Sequence, residues 1–478
     1  MRESRNRRYF FEGRVVFLIT QDEARAVLQA AVSTGADFAE LYMEDVRSNN
    51  VTVLQGEVED AGSSHRHGAG VRVFAGLKSA YAYTADTSHD SLLATARAAA
   101  AAVRASSPAV IAPFAAHDYR IVPRIPFADV TGDRRVKLAL AGYAAAKGYS
   151  PEIVQARVMT LDRDADVLIA NTEGVFARDR RVRMRFVVQA VASDGHETQT
   201  GHEGPGYGLG FEGFDRIDPE YYAKKAAACA VTMLHAPACP AASLPVVMDG
   251  GFGGVIFHEA CGHSLEATSV SRGNSEFCGK LGQKIAADCV SAVDDGTLDG
   301  EWGSIHVDDE GTPARRNLLI DHGVLVGYLV DRLGGRRMNM PVTGSSRRQD
   351  YTFAPTSRMT NTFICPGEDD EEAMISSCPE GLYAKSMGGG SVNPLTGEFN
   401  FAVSEGYWIR DGKILTPVRG ATLIGRGADV IRRIDRVGHT MTMGQGMCGS
   451  QSGSVPTNVG QPRIRVSELT IGGKGGAL

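Results

Sequence analysis

Between residues 20 and 236 the same order of patterns occurs twice, and this limits the architecture more than any other feature of the chain. Residues 21–34, QDEARAVLQAAVST, place apolar side chains at helical spacing behind an acidic first turn, which predicts a helix. From ADFAELYMED to KSAYAYT, apolar and polar residues alternate between Gly, Asn and Ser turns, which predicts strands. A second helix is expected at 88–105, and the proline-containing SPAVIAPFAAHDYRIVPRIPF reads as a connector. The order then returns: a helix at 132–148, strands through EIVQARVMTLDRDADVLIANTEGVF and beyond, and a helix at 218–235 with a capping-type start. VTVLQGEVED (51–60) and VLIANTEGVF (167–176) fall at corresponding places in the two units. The pattern predicts an α+β fold whose N-terminal domain, 20–236, consists of two helix–sheet–helix halves.

After APACPAASLPVVMDG the character changes. One helix is expected at 252–268, followed by short strands with Gly-rich turns, so 237–478 reads as a C-terminal, mostly β domain with that helix against its sheets. A chain of 478 residues is too long for a single core, which agrees with two or more domains. Residues 1–19 are basic, and their longest apolar run, VVFLI, is too short for a signal-peptide core. They are expected to be a disordered tail or to precede the native start. No apolar run approaches the length of a membrane span. A net charge of −6 argues against nucleic acid as the principal partner, because phosphate binding needs a basic face. Eight cysteines without a C-x-x-C pair or a secretion signal make a disulfide framework unexpected and a cytoplasmic location the natural one.

The helix expected at 252–268 contains the chemistry. GGFGGVIFHEACGHSLEA holds His258, Glu259 and His263 as H-E-x-x-x-H, one residue longer than the zinc-protease pattern H-E-x-x-H. Histidines at i and i+5 on a regular α-helix stand about 140° apart in azimuth and cannot share an ion. A π-bulge brings them back over each other, and Gly262 beside His263 relaxes the crowding there. With 12 histidines in the chain, such a motif arises by chance in about one chain of this size in fifty, so it needs a third ligand to carry weight. Three residues compete for that place. Cys448 lies in a Gly- and Met-rich loop and ranks first. Glu266 ranks second, as a carboxylate ligand or as the partner that holds a histidine. Cys261 ranks third, because it sits between the two histidines.

Four stretches together resemble the TldD/PmbA family of modulators of DNA gyrase, understood as metalloproteases: FHEACGHSLEA, residues 294–332, SRMTNTFI, and residues 446–473. GADFAELYMED and GAGVRVFAGLKSAYAYT resemble the family's N-terminal part. The chain keeps H-E-x-x-x-H and the late cysteine, so it is similar to the TldD-type catalytic subunit rather than the TldE (PmbA) subunit, which lacks the metal site. The resemblance implies zinc held by His258, His263 and Cys448, with Glu259 as general base. It also implies cleavage of unfolded or extended peptides in a chamber formed by a homodimer or by a heterodimer with a TldE/PmbA-like subunit.

Other residues are candidates for substrate contact. Glycines in KSMGGGSVNP, Gly389 among them, let a peptide strand lie close and add to a sheet edge. Arg347, Arg348 and Tyr351 in SSRRQDYTF are available to an oxyanion or a substrate carboxylate. Two other functions compete: a small-substrate metal amidase, for which the large N-terminal domain is unnecessary, and a catalytically silent peptide-binding or regulatory subunit, whose signature is a lost Glu or ligand.

Overall fold

The computed structural model describes residues 19–475 apart from Ala105 and Pro394. Of the basic segment 1–19, all but Ile19 lies outside the described residues.

Helix α1 (Gln21–Ala31) begins at a capping box: the Thr20 hydroxyl accepts from the Glu23 N–H and the Glu23 carboxylate accepts from the Thr20 N–H. It buries Ala24, Val27, Leu28 and Ala31 at helical spacing. Strands β1 (Phe38–Leu54), β2 (Glu57–Ala75) and β3 (Lys78–Thr84) follow, then α2 (His89–Ala101). The connector expected next contains a short strand, β4 (Ala115–Arg120), which pairs in parallel with β6 (Val175–Ser193). Its prolines lie outside the six paired residues, which is how a proline-rich connector still supplies an edge strand. The second unit is α3 (Gly132–Lys147), β5 (Ile153–Asn171), β6, β7 (Thr198–Glu203), β8 (Gly206–Tyr207) and α4 (Pro219–His235). Helix α4 starts with Asp218 accepting from the N–H groups of Glu220 and Tyr221 and with proline at its first position.

Both units feed one sheet of order β3-β2-β1-β5-β6-β4, in which β1 and β5 run antiparallel along the middle, Ser48 opposite Arg163. Strands β7 and β8 pair with later parts of β6. The two stretches that correspond in sequence are the β1–β2 and β5–β6 hairpin turns. Helices α1 and α2 share one core with β1 and β2, and α3 and α4 share a second with β5 and β6.

Beyond residue 240 the strands form a barrel and a second sheet. Strands β9 (Ala242–Met248), β16 (Glu380–Val392), β17 (Glu398–Arg410), β19 (Thr422–Arg426) and β23 (Ile464–Gly472) pair in the order β16-β9-β23-β19-β17, and β16 also pairs with β17. That last pairing closes the ring. Strands β18 (Lys413–Val418) and β20 (Ile434–Val437) add to its outside. The second sheet has the order β12 (Val324–Leu325), β11 (Arg316–Asp321), β10 (Ala292–Asp295), β15 (Asn361–Ile364), β22 (Gly453–Gln461), β21 (Thr442–Ser450). A two-strand ribbon, β13 (Ser346–Arg347) with β14 (Thr356–Ser357), stands apart from it. The motif segment is buried between barrel and sheet: Phe257, Cys261 and Leu265 share a core with Leu382 and Phe401 of the barrel and Ile364 and Val455 of the sheet.

Buried ion pairs join the N-terminal sheet to this region. Arg72 meets Glu310 at 2.6 Å, Arg348 meets Glu40 at 3.1 Å, and Arg181 lies 2.8 Å from Asp179 and 2.6 Å from Asp309. Pairing offsets the cost of burying these charges, and each of the three cations meets an acid across the junction.

Candidate metal centre

Residues 252–265 form one run of helical turns of changing width: 3₁₀ at Phe252–Gly254, α at Val255–Phe257, π at His258–Gly262 and 3₁₀ at His263–Leu265. The π turn lies between the two histidines, where the i, i+5 spacing needs the wider helix. It sets their rings 5.1 Å apart between centroids and at 84° to each other. The run ends at Leu265 rather than at 268 as expected, because Glu266 turns extended (φ −73°, ψ 133°) and bridges Leu329. Two glycines let the segment sit deep. A Cβ on Gly262 would lie 2.2 Å from the Met359 sulfur, and one on Gly254 would lie 2.4 Å from the Gly460 nitrogen on β22.

Cys448 arrives on β21. Its Sγ is 3.2 Å from His258 Nε2 and 3.3 Å from His263 Nε2, and the three donor atoms lie within 4.8 Å of one another. Donors bound to one zinc at about 2.0–2.3 Å stand roughly 3–4 Å apart, and both sulfur–nitrogen distances fall in that range. His258 and Cys448 are buried. Glu259 is not: its carboxylate, 3.8 Å from His263 Nε2, faces a cleft of about 400 Å³. The cleft is walled by Glu259, Arg272, Asn274, Ser391 and Val392 from β16, and the Gly449–Gln451 end of the β21–β22 hairpin.

The electrostatics tie the cluster together by favouring the Cys448 thiolate and the protonated form of His263, and a metal ion would displace that proton on binding. Burial alone would raise the Cys448 thiol, but His258 and His263 beside it outweigh burial and hold it well below the ordinary cysteine range. Burial would likewise lower His263, yet the Glu266 carboxylate and the Cys448 sulfur raise it well above the usual histidine value. Glu266 Oε2 lies 3.3 Å from His263 Nδ1, which leaves Nε2 turned to the sulfur. The Glu266 carboxylate thus meets His263 at the ring nitrogen away from the sulfur, the position from which a carboxylate would brace the ring. His258 has no such brace, and its buried Nδ1 lacks a hydrogen-bond partner among the described residues.

Arg358, in the SRMTNTFI stretch, was not singled out from the sequence. Its side chain is fully buried behind the cluster, where it donates to the carbonyls of Cys448 and Gly453 and to the Ser452 hydroxyl, with Nε 4.0 Å from Glu266 Oε1. No local pattern marks such a residue; only an expectation that a buried carboxylate needs a cation points to it.

The remaining candidates lie elsewhere. Cys261 is fully buried in the core, and burial pushes its thiol up, with Glu276 adding to the rise. Arg347 and Arg348 line a separate cavity against the N-terminal sheet, the former donating to the Met359 carbonyl and the latter held by Glu40 and the Asp309 carbonyl. Tyr351 packs edge-on to Tyr83, and its carbonyl accepts from the Tyr81 hydroxyl. Gly389 is exposed on β16, three residues before the cleft-lining Val392. The glycine-rich stretch is strand up to Val392, and beyond Ala384 no strand pairs with its outer edge among the described residues.

Against known proteins, three consecutive parts of the chain match the PmbA/TldA metallopeptidase: domain 1 over residues 39–103, the central domain over 125–234 and the C-terminal domain over 241–473. A protein of Haemophilus influenzae named "Metalloprotease TldD homolog" is 34% identical over 449 residues, covering 91% of this chain and 93% of that one. A Thermotoga maritima structure described as a putative modulator of a DNA gyrase superposes with a TM-score of 0.77 at 19% identity, covering 94% of this chain and 99% of the other. TldE from Thermococcus kodakarensis superposes at 0.75 with 16% identity and the same coverage. At such identities the two structures speak to the fold alone.

Proposed function

The chain belongs to the PmbA/TldD family of metallopeptidases, and on that premise we propose that it is a zinc metalloprotease hydrolysing unfolded or extended peptides. The observation that carries the reading is the convergence of His258 Nε2, His263 Nε2 and Cys448 Sγ within 4.8 Å beside the solvent-facing carboxylate of Glu259. Two imidazoles and a thiolate favour zinc by softness and by tetrahedral preference. Bound there, zinc would supply Lewis acidity to a peptide carbonyl and acidify the attacking water.

The protein's own groups do the rest. Glu259, in the cleft, takes a proton from the water as its oxygen adds to the carbonyl carbon, and gives it to the leaving amine as the C–N bond breaks. Glu266 holds His263 in one tautomer and orientation, and Arg358 fixes the backbone carbonyl of Cys448. The outer edge of β16 beyond Ala384, unpaired among the described residues and with Gly389 leaving room for a close approach, accepts the substrate as an added strand. That mode reads backbone rather than side chain and suits extended, unfolded peptides. The same proposal covers assembly: a cytoplasmic dimer, with an identical chain or with a TldE/PmbA-like subunit.

The test is metal content and peptide cleavage of wild type beside Cys448→Ala and Glu259→Gln. The expected result is about one zinc per chain in wild type and in Glu259→Gln, loss of zinc in Cys448→Ala, and a cleavage rate in Glu259→Gln lower by about 10²–10⁴-fold. Cleavage undiminished in Glu259→Gln removes the assigned base. A chain that takes up no metal under any loading leaves the silent peptide-binding subunit as the better account.

A further inference from the structure

One strand separates the metal cluster from a second cavity. Along β21, Cys448 turns to the histidines while its neighbour Met447 lines a hollow of about 400 Å³ between the C-terminal region and the N-terminal sheet. The alternation of side chains along a strand puts these two residues on opposite faces.

The wall of this cavity is unbalanced in charge. Seven arginines line it against a single carboxylate, Asp309. Four of them are accounted for by nearby acids: Arg66 and Arg163 share Glu44 at 3.3 and 3.9 Å, Arg181 lies between Asp179 and Asp309, and Arg348 meets Glu40. The other three, Arg183, Arg185 and Arg347, form no ion pair with a carboxylate among the described residues and hydrogen-bond only to carbonyl oxygens there, Arg185 also lying over the Trp302 ring at 5.5 Å. Arg183 donates to the carbonyls of Trp302 and Ser304 at 2.7 Å each and to that of Val182 at 3.3 Å. Arg185 donates to those of Gly204 and Gln445. Arg347 spends one N–H on the Met359 carbonyl, and no other hydrogen-bond acceptor meets its fork among the described residues. In addition, the buried Nε of Arg348 has no hydrogen-bond partner among the described residues. Arg183 and Arg347 are each only 5% exposed.

Guanidinium groups this buried without a counter-charge are costly, and the cost shows in their ionisation. Burial lowers Arg347 to about 10, the Asp309 charge working against it and Arg358 and Arg181 with it. Burial and the neighbouring charges of Arg347 and Arg163 bring Arg183 well below the arginine range. An anion in the cavity relieves this imbalance, and the fork of Arg347 is shaped to take two oxygens of a carboxylate or a phosphate.

The rest of the wall decides between those. Trp302, Ile305, Val455 and Pro456 make it largely apolar, and Met447, half exposed, stands at the mouth. A bare oxyanion would leave these surfaces uncovered, whereas a carboxylate on a hydrocarbon body satisfies both. We propose that this cavity binds an organic carboxylate with an apolar body, as presented by the free C-terminus of a short peptide ending in a hydrophobic residue, with Arg347 as its principal counter-ion. The assignment stands whether or not the metal chemistry above is correct.

Calorimetric titration of the full chain carrying Glu259→Gln, so that no probe is cleaved, tests it in metal-loaded and metal-stripped form. The probes are N-acetyl-Leu-Phe as the free acid, the same dipeptide as its C-terminal amide, and inorganic phosphate. The expected result is saturable binding of the acid with or without metal, and binding of the amide and of phosphate weaker by about tenfold or more. Met447→Glu, which places a carboxylate at the mouth on an exposed side chain, is expected to abolish acid binding without shifting Tm. Arg347→Gln is expected to weaken it about tenfold. Equal affinity for acid and amide, equal affinity for phosphate, binding only in the metal-loaded form, or full binding in Met447→Glu each overturns the proposal.

Discussion

Replacing Glu266 by glutamine removes one charge from behind the candidate metal cluster while keeping the shape of the side chain. In the folded chain Glu266 Oε2 lies 3.3 Å from His263 Nδ1, and its other oxygen, 4.0 Å from Arg358 Nε, makes no hydrogen bond among the described residues. Unit charges at that first distance attract by about 5 kcal/mol at an effective dielectric constant near 20, a gross figure that the desolvation of a buried carboxylate largely offsets. The net effect on a ligated histidine is smaller: partners of this kind contribute roughly 10–100-fold in metal affinity, or about 1.4–2.7 kcal/mol. Glutamine can still accept a hydrogen bond from Nδ1–H through its amide oxygen, so the loss in Glu266→Gln belongs near the lower bound and that in Glu266→Ala near the upper. The assay is competition for Zn²⁺ against a chromophoric chelator at neutral pH, with circular dichroism to show that each variant is folded. An affinity for Glu266→Gln within about twofold of wild type would refute the reasoning, because the carboxylate would then be a neighbour of His263 and not its brace.

Two further perturbations test the supports of the site and of the junction. Gly262→Ala brings a methyl against the Met359 sulfur, 2.2 Å from its ideal position, and overpacking of this kind costs about 1–3 kcal/mol. The urea midpoint should fall, zinc affinity should fall with it, and Met359→Ala in the same chain should recover part of both; no recovery would mean that the strain lies in the π turn itself. Asp179→Asn cuts the buried contacts to Arg181 at 2.8 Å and to His306 at 3.0 Å. Burial opposes the charged form of Asp179, but His306 and Arg181 outweigh it and hold the carboxyl below its ordinary value. A depressed folded-state value means that the contribution is present above the unfolded value, about 4, and is lost as pH falls through the folded one. The variant should therefore be less stable than wild type at pH 7 and draw level with it in acid, as read by urea unfolding at both pH values. A deficit that grows in acid would contradict that assignment.

Local chemistry explains what could be read without coordinates. Thr20 with Glu23 and Asp218 with Pro219 mark helix starts because capping involves neighbours three residues apart or fewer. The long strands of both N-terminal units show their period of two, and the similar places of 51–60 and 167–176 correspond to two hairpin turns in one sheet. The spacing of His258 and His263 requires a widened turn for any shared ion, and a π turn occupies that place. The family itself was recognisable from FHEACGHSLEA and the C-terminal stretches.

What the sequence alone determined, then, is the order and kind of the elements, the family, and the demand that the motif helix widen, since each depends on residues close together in the chain. Tertiary structure decided which distant groups meet. Cys448 reaches His258 from 190 residues away, because β21 is paired to β22 and β22 runs parallel to β15 beside the motif segment. Arg358 is placed behind the cluster by the same sheet, and Arg348 is drawn to the other cavity by Glu40 of a different sheet, with Arg347 beside it. The closing of the barrel by β16 and β17, and the end of the motif helix at Leu265 where Glu266 bridges Leu329, likewise depend on partners far along the chain. The physical reason is common to all of these: periodicity and capping are properties of a segment, whereas register and buried charge balance are properties of segments brought together by folding.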